Sequence, residues 1–160
     1  MRVLIAGIGN IFLGDDGFGP AVAELLATGS WPNGVEIGDF GIRGMDLALA
    51  LTSGIDAAIL VDAVARGGAP GTLYMLEPDH DPAATSLETH SMDPARVLGF
   101  ARSLGELPRY VRVVGCEPER LDDDGDIAPG LSAAVTAAIE PATAMVRELV
   151  ATLTEATCTS

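Results

Sequence analysis

Basic residues are scarce in this sequence, and their scarcity narrows the range of possible partners. The chain has 9 Lys and Arg against 23 Asp and Glu, which gives a formal net charge of −14 at pH 7. A chain of this sign repels phosphate backbones and anionic membrane surfaces. We therefore expect no nucleic-acid partner, although an acidic surface can also serve only to keep a small domain soluble.

Cysteine is scarce as well. The sequence has 2 cysteines, Cys116 within an apolar run and Cys158 close to the carboxyl terminus. They are too few for a dense disulfide framework or a thiolate metal cage. This composition is typical of a reducing compartment, and we expect a cytoplasmic protein.

Long uninterrupted apolar runs are lacking. The longest apolar region, residues 47–65, contains Asp56 and Asp62, and each carboxylate is costly at membrane depth. The amino-terminal apolar run is short and is followed by Gly9 and Asn10 rather than by a small-residue cleavage site. We therefore predict no membrane span and interpret the amino terminus as a β-strand.

The apolar segments that are present alternate between strand and helix patterns. Strand, helix, strand, helix, strand is the opening of a doubly wound α/β fold. The sequence predicts one α/β domain over residues 1–153, with a mostly parallel five-stranded sheet, helices on both faces and a frayed tail at residues 154–160. Strands are predicted at residues 3–8, 35–37, 57–62, 72–76 and 110–116, and helices at residues 20–27, 45–51, 94–104 and 131–153.

Three details of this pattern are specific enough to test. The segment 63–70 is too short and too rich in Gly and Pro for a crossover helix, so strand four should return antiparallel beside strand three. Asp93 is predicted to cap the third helix, with Pro94 in its first turn. Pro141 should kink or break the last helix.

Carboxylates are concentrated where this fold places its ligands. Doubly wound sheets bind ligands at the carboxyl ends of the strands, where the winding reverses. Asp15 and Asp16 follow the first strand, and Asp62 is predicted as the last residue of the third. Two or three carboxylates should therefore converge between these strands. Two local alternatives stay open, in which Asp16 caps the following helix and Asp62 only ends a strand.

The glycines after the first strand do not fit a dinucleotide site. Gly7 and Gly9 follow a strand, as in the loop that approaches a pyrophosphate. However, Phe12 occupies the place of the third small residue, and Asp15 and Asp16 would repel the phosphates. Nucleotide binding is therefore not predicted.

Histidine occurs only twice, so any imidazole ligand is His80 or His90. His80 lies among acidic residues and is interpreted as a solvated loop residue. His90 lies just before the capped helix, where it can be held rigidly, although a loop histidine taken alone is more often ordinary than functional. Two carboxylates and one imidazole would leave coordination positions open, which suits a borderline divalent cation better than structural zinc.

Short motifs occur in a fixed order along nearly the whole chain. In this order they resemble the hydrogenase maturation endopeptidases, which trim the carboxyl-terminal extension from the large subunit of nickel-iron hydrogenases. The opening motif is quite specific, and the ordered set is more specific still. The motifs are Gly-Ile-Gly-Asn at 7–10, Gly-Asp-Asp-Gly-Phe-Gly at 14–19, Asp-Phe-Gly-Ile-Arg-Gly at 39–44, Val-Asp-Ala at 61–63, Thr-His at 89–90, Leu-Gly at 104–105 with Pro108, Gly-Cys-Glu-Pro at 115–118 and Gly-Leu-Ser at 130–132.

The resemblance implies a twisted five-stranded sheet between helices and a nickel-recognition set at Asp16, Asp62 and His90, with His80 outside it. It also implies that Asp39 takes part in cleavage and substrate choice. Ile42 stands where many members have Thr, so this chain lacks a hydroxyl there. The partner would be a nickel-loaded large-subunit precursor, and the nickel would reach the site bound to that precursor.

The sequence leaves the catalytic step and one alternative function open. No Ser-His-Asp set is evident, and Cys116 is predicted to lie in a strand. Nickel held by the three ligands would place the scissile bond for attack by a metal-polarised or carboxylate-activated water. The alternative is a non-catalytic, chaperone-like module that binds nickel and inspects the precursor without cutting it.

Overall fold

The computed structural model describes residues 1–78, 93–121 and 129–158. A 3₁₀ turn at Gly14–Gly17, called the acidic turn below, connects the first strand to the first helix. The strands are β1 (Val3–Ile8), β2 (Val35–Gly41), β3 (Ala57–Ala63), β4 (Leu73–Leu76) and β5 (Tyr110–Cys116). The α-helices are α1 (Phe18–Ala27), α2 (Gly44–Leu51), α3 (Pro94–Leu104) and α4 (Ala133–Cys158).

The strands form one mixed sheet in the order β2-β1-β3-β5-β4. β1 pairs in parallel with β2 and β3, and β3 pairs in parallel with β5. β4 runs antiparallel to β5 at the edge of the sheet. The predicted fold class, a single α/β domain with a mostly parallel five-stranded sheet and strand four antiparallel, is confirmed.

The predicted neighbour of β4 is wrong, because β5 and not β4 lies beside β3. β3 pairs with β5 along its whole length, from Ala57 opposite Tyr110 to Ala63 opposite Cys116. β3 is almost wholly buried, as expected of a strand with a neighbour on each side, and the well-buried β5 pairs with the edge of β3 that β1 leaves open. β4 is mostly half-buried, as is typical of a strand at the edge of a sheet.

Helices cover both faces of the sheet because side chains along each strand point alternately to its two sides. In β1, Val3 and Ile5 pack in a cluster with α1 and α4, whereas Leu4 and Ile8 pack in a cluster with α2 and α3. α3 begins as predicted, since the Asp93 carboxylate accepts a hydrogen bond from the backbone N–H two residues further on. The two apolar clusters fix the sheet between two layers of helix.

α1 approaches the sheet very closely at two glycines. A Cβ atom on Gly19 would lie 2.1 Å from the Ile8 carbonyl oxygen and 2.3 Å from that of Val61. A Cβ atom on Gly7 would lie 2.4 Å from the Gly19 carbonyl oxygen. This approach brings the acidic turn, which directly precedes α1, onto the carboxyl ends of β1 and β3.

Two element ends differ from the predicted ones near the site. α1 begins at Phe18 rather than at Pro20. β2 does not stop at Ile37 but continues to Gly41, because it stays paired with β1 over these residues. Asp39 therefore lies within a strand rather than in the loop that follows it.

α4 is one continuous helix and is not broken at Pro141. Ala138 and Ala142 are buried in the core on either side of this position, so packing holds both halves of the helix in place. Pro141 and Ala137 are exposed, and the Ala137 carbonyl, which loses its helical donor to the proline, can therefore bond to water.

α4 also continues beyond its predicted end at Leu153. It reaches Cys158, and the Thr154 hydroxyl donates a hydrogen bond to the Val150 carbonyl within the helix. The domain end at residue 153 and the fraying of the tail stay predictions. Among the described residues, no helix combines the length and hydrophobicity that a membrane crossing requires.

Candidate active site

Asp16 lies in the acidic turn, half-buried beside the end of β1. Its carboxylate oxygen Oδ2 accepts a hydrogen bond of 2.6 Å from the backbone N–H of Asn10. α1 has Gly17 at its N-cap position and no side-chain cap, so the interpretation of Asp16 as a helix cap is wrong. The carboxylate instead faces back towards the loop that leaves β1.

Gly9 makes this arrangement of the acidic turn possible. Its φ of +136° is a conformation that glycine adopts far more readily than other residues, and a Cβ atom there would lie 1.8 Å from the backbone oxygen of Asp16. The Gly9 N–H also donates to the carbonyl of Gly41 at the end of β2. The glycines after β1 therefore serve close packing of three segments around Asp16.

Asp62 lies within β3, opposite Gly115 of β5, and only 6% of its surface is exposed. Asp62 was predicted to be the last residue of the strand, and this prediction is wrong, because pairing with β5 continues through Ala63. Burial raises the pKa of Asp62 well above its ordinary value, and the negative charges of Asp16 and Asp93 raise it further. Asp16 and Asp62 therefore lie close enough for their charges to interact.

The predicted metal-binding set is only partly within the described residues. Asp16 and Asp62 come from the acidic turn and from β3, at the edge of the sheet where the site was expected. His90 and His80 both lie outside the described residues. Among residues 1–78, 93–121 and 129–158, no three His, Cys, Asp or Glu side chains are placed to hold a metal ion. The set of Asp16, Asp62 and His90 stays a prediction.

Asp39 is exposed near the end of β2, on the other side of β1 from β3. Its Oδ1 accepts a 2.9 Å hydrogen bond from the Gly41 N–H, and its backbone oxygen accepts one from the Arg43 guanidinium. Asp39 lines a groove of about 280 Å³ together with Gly14 and Gly17 of the acidic turn. A substrate segment in this groove would pass beside the acidic turn, and the catalytic role of Asp39 stays a prediction.

Asp15 does not join the other carboxylates, although it is adjacent to Asp16 in sequence. It is fully buried, and it accepts hydrogen bonds from the backbone of Glu119, Arg120 and Ser132 and from the Ser132 hydroxyl. Burial opposes its ionisation, but these hydrogen bonds outweigh burial and lower the pKa of Asp15. Of the two or three carboxylates expected to converge, Asp15 is directed elsewhere.

Glu117 is a third buried carboxylate, after Asp15 and Asp62, and the sequence did not reveal its burial. The acidic run at residues 117–126 indicates a solvated loop, but only 5% of the surface of Glu117 is exposed. It accepts hydrogen bonds from the Arg66 and Gly67 backbone and from the Tyr74 hydroxyl. The bond from Arg66 does most to lower the pKa of Glu117, with help from Tyr74 and Gly67 and against a contribution from burial. The one available signal was its place directly after a buried strand.

Cys116 lies in a strand, as predicted, where it is the last residue of β5, and it is buried. Burial raises the pKa of its thiol to about 11, and the negative charges of Asp15 and Glu117 contribute to the rise. At neutral pH the thiol stays protonated, and a protonated thiol is a poor nucleophile. The carboxylates at the sheet edge are therefore better placed for chemistry than this cysteine.

The fold and the site together define an α/β protein with a pair of carboxylates where its sheet reverses winding. A family model described as hydrogenase maturation protease matches residues 20–149. The Hydrogenase 2 maturation protease of Escherichia coli (strain K12) is 36% identical over 152 residues, which is 92% of each chain. The protein therefore belongs to the hydrogenase maturation protease family, and both the resemblance and its class as a peptidase are confirmed.

Solved structures agree with this assignment. The hydrogenase maturating endopeptidase HybD from E. coli superposes with a TM-score of 0.73 at 34% identity, covering 98% of this chain and 94% of that one. A hydrogenase 2 maturation peptidase from the Thaumarchaeota archaeon SCGC_AB-539-E09 gives a TM-score of 0.69 at 34% identity, covering 94% and 99%. The similarity thus extends over the whole fold, including β1, the acidic turn and β3.

Proposed function

We propose that this protein is a cytoplasmic endopeptidase that removes the carboxyl-terminal extension of a nickel-iron hydrogenase large-subunit precursor after nickel insertion. The observation that best supports this proposal is the pair formed by Asp16 and Asp62. The pair lies at the sheet edge where ligands bind in this fold class, and its two charges are close enough to raise the pKa of Asp62.

The chemistry of the pair suits a divalent cation that arrives with the substrate. Two neighbouring carboxylates repel each other when both are ionised, and a cation between them would relieve that repulsion. Oxygen ligands with one imidazole, predicted as His90, leave coordination positions open and provide no thiolate, so affinity for free nickel should be modest. Nickel already bound to the precursor could fill those positions, and binding of protein and metal together would strengthen the complex.

Cleavage itself is the hydrolysis of one peptide bond. A water oxygen adds to the carbonyl carbon, the C–N bond breaks, and a proton passes from the water to the leaving amine nitrogen. We assign to Asp16, Asp62 and His90 the binding of the nickel that the precursor carries. This binding would position the scissile bond for attack by water. The metal or a carboxylate would activate the water, and we assign to Asp39, which lines the neighbouring groove, a contact with the substrate chain.

Processing of a nickel-loaded precursor by purified protein tests this proposal. Asp16→Ala and His90→Ala should abolish shortening of the large subunit, followed by mass spectrometry. The matched control is Asp56→Ala, because Asp56 also accepts a 2.6 Å hydrogen bond from one backbone N–H, that of Arg2, but at the amino end of β3. The loss of the bond to the Asn10 N–H in one variant and to the Arg2 N–H in the other should each cost about 1 kcal/mol of stability.

The outcomes separate the two candidate functions. The proposal requires that the wild-type protein and Asp56→Ala both shorten the precursor, while the two site variants leave it intact. If the wild-type protein binds the nickel-loaded precursor and leaves its extension in place, the protein is a non-catalytic inspection module. Processing at the wild-type rate by Asp16→Ala and His90→Ala would remove the metal-site assignment.

A further inference from the structure

We propose that Asp15 is a positioning residue for peptide cleavage, which fixes Asp16 by fastening the acidic turn to two distant segments of the chain. The inference rests on the proposed function and extends it to a residue that does not touch the substrate. Asp15 is fully buried and acts from the interior of the protein.

The hydrogen bonds of Asp15 connect three parts of the fold. Its Oδ2 accepts from the Glu119 N–H at 2.8 Å and the Arg120 N–H at 3.2 Å, both just after β5. The Ser132 N–H, at the start of α4, donates to Oδ1 at 2.7 Å, and the Ser132 hydroxyl donates to Oδ2 at 3.0 Å. One fully buried carboxylate thus fastens the acidic turn to the segment after β5 and to the beginning of α4.

These bonds constrain Asp16 because the two residues are consecutive in one 3₁₀ turn. The backbone of Asp16 is packed against Gly9, and its carboxylate accepts the Asn10 N–H. The turn is therefore held from the loop after β1 on one side and through Asp15 on the other. The four hydrogen bonds that Asp15 accepts are called the anchor below. If the anchor loosens, the Asp16 carboxylate can move relative to Asp62, and small misplacements of catalytic groups lower the reaction rate strongly.

The anchor needs a carboxylate and not an amide. Three donors converge on Oδ2 and one on Oδ1, so both oxygens act only as acceptors. In Asp15→Asn an NH₂ group replaces one oxygen and faces N–H or O–H donors, which leaves buried donors without acceptors. The substitution therefore loosens the anchor while keeping the size of the side chain.

Glu117 provides a matched control on the same sheet. It is also a buried carboxylate, and it accepts hydrogen bonds from the Arg66 and Gly67 N–H groups and from the Tyr74 hydroxyl, none of which belongs to the acidic turn. Glu117→Gln should destabilise the protein by a comparable mechanism. A general loss of stability would therefore appear in both variants, whereas a loss of positioning would appear only in Asp15→Asn.

The first readout is the kinetics of precursor processing, measured well below the melting temperature of each variant. Asp15→Asn should lower kcat on the order of 100-fold with little change in KM, because the substrate still binds but the site is misplaced. Glu117→Gln should keep kcat within about threefold of the wild-type value. Equal losses of kcat in the two variants, or a wild-type kcat in folded Asp15→Asn, would overturn the proposal.

The second readout does not depend on cleavage. Hydrogen exchange of the Asn10 amide, which reports the bond to Asp16, should accelerate roughly tenfold or more in Asp15→Asn but not in Glu117→Gln. If the wild-type protein fails to cleave, the proposed function fails, and this exchange still decides whether Asp15 positions Asp16. An unchanged Asn10 exchange rate in Asp15→Asn would contradict the positioning role.

A milder variant covers the case in which Asp15→Asn does not fold. Ser132→Ala removes the hydroxyl bond to Asp15 and keeps the three backbone bonds. It should lower kcat and accelerate Asn10 exchange by about fivefold, and Ser132→Thr, which keeps a hydroxyl, should restore both. If Ser132→Ala leaves both quantities at wild-type values, the anchor does not position Asp16.

Discussion

Asp62 carries its carboxyl group in a part of the sheet where ionisation is unfavourable. Burial raises its pKa above the ordinary value of 3.8, and the charge of Asp16 adds to the effect. Between 3.8 and the raised pKa, the unfolded chain has released this proton while the folded protein still holds it. The contribution of Asp62 therefore lowers stability as the pH rises through this window.

Asp62→Asn should accordingly stabilise the metal-free protein while abolishing processing. The amide is neutral at every pH, so the variant should melt at a higher temperature than the wild-type protein at pH 7. The gain should vanish below pH 3.8, where the wild-type carboxyl group is protonated in both states. Thermal unfolding across this pH range provides the measurement.

The exposed Asp56, at the opposite end of β3, provides the control for this prediction. Asp56→Asn should not raise the melting temperature at pH 7, since this side chain is exposed and accepts a hydrogen bond from the Arg2 N–H. If Asp62→Asn is less stable than the wild-type protein at pH 7, or if its gain in stability is equal at low and neutral pH, burial does not disfavour the ionisation of Asp62.

The local sequence pattern could not separate the roles of Asp15 and Asp16, and only the family resemblance assigned the nickel-recognition role to Asp16. Both follow Gly14 in the same short turn, and nothing in their neighbours distinguishes them. In a 3₁₀ turn successive side chains lie about 120° apart, so one of the two faces the interior when the other faces the site. Which one does so depends on the donors of Ser132 and of the segment after β5, which are distant in sequence.

Among the elements, those with continuous apolar runs or a strong cap were predictable. β1, β3 and β5 are buried on both faces, and α3 begins at its predicted cap, Asp93. The neighbour of β4 could not be predicted, because it depends on β5, a strand that comes later in the chain. The extension of β2 through Asp39 also depended on pairing with β1 and not on local propensity.

The close approach of α1 to the sheet leads to a prediction about this helix. Gly19→Ala places a methyl group 2.1 Å from one strand carbonyl oxygen and 2.3 Å from another, so α1 must shift away from the sheet. We expect a loss of about 3 kcal/mol or more in the free energy of unfolding, measured by urea denaturation. Processing should fall as well, since the acidic turn moves with α1.

Gly67→Ala is the control for this prediction, because it separates the cost of backbone strain from the cost of steric overlap between the added methyl group and its neighbours. Gly67 has a φ of +82° and no atom within 4 Å of its Cβ position, so an alanine there meets strain alone. Its cost should be about 1 kcal/mol, without an effect on processing beyond that of stability. A loss in Gly19→Ala no greater than that in Gly67→Ala would show that the α1 approach is not tight.

For the molecule as a whole, the net charge of −14 creates a field that attracts cations and positively charged groups. The carboxylate pair lies within this field, at the edge of the sheet where α1, β1 and β3 meet. Such a field favours the approach of a metal-bearing precursor but does not by itself select nickel. Under the proposed function, selection for a nickel-loaded precursor would come from the site and from the metal that the precursor carries.

We propose that nickel carried by the precursor licenses its cleavage, and processing by a metal-stripped protease tests this proposal. The protease is treated with a chelator, desalted, and then mixed separately with nickel-loaded and nickel-free precursor, and shortening of the large subunit is followed over time. The stripped protease should process the nickel-loaded precursor at the untreated rate and leave the nickel-free precursor uncut. Activity that is lost on stripping and regained when metal is added to the protease before the substrate would contradict the claim and would show a peptidase with its own resident metal.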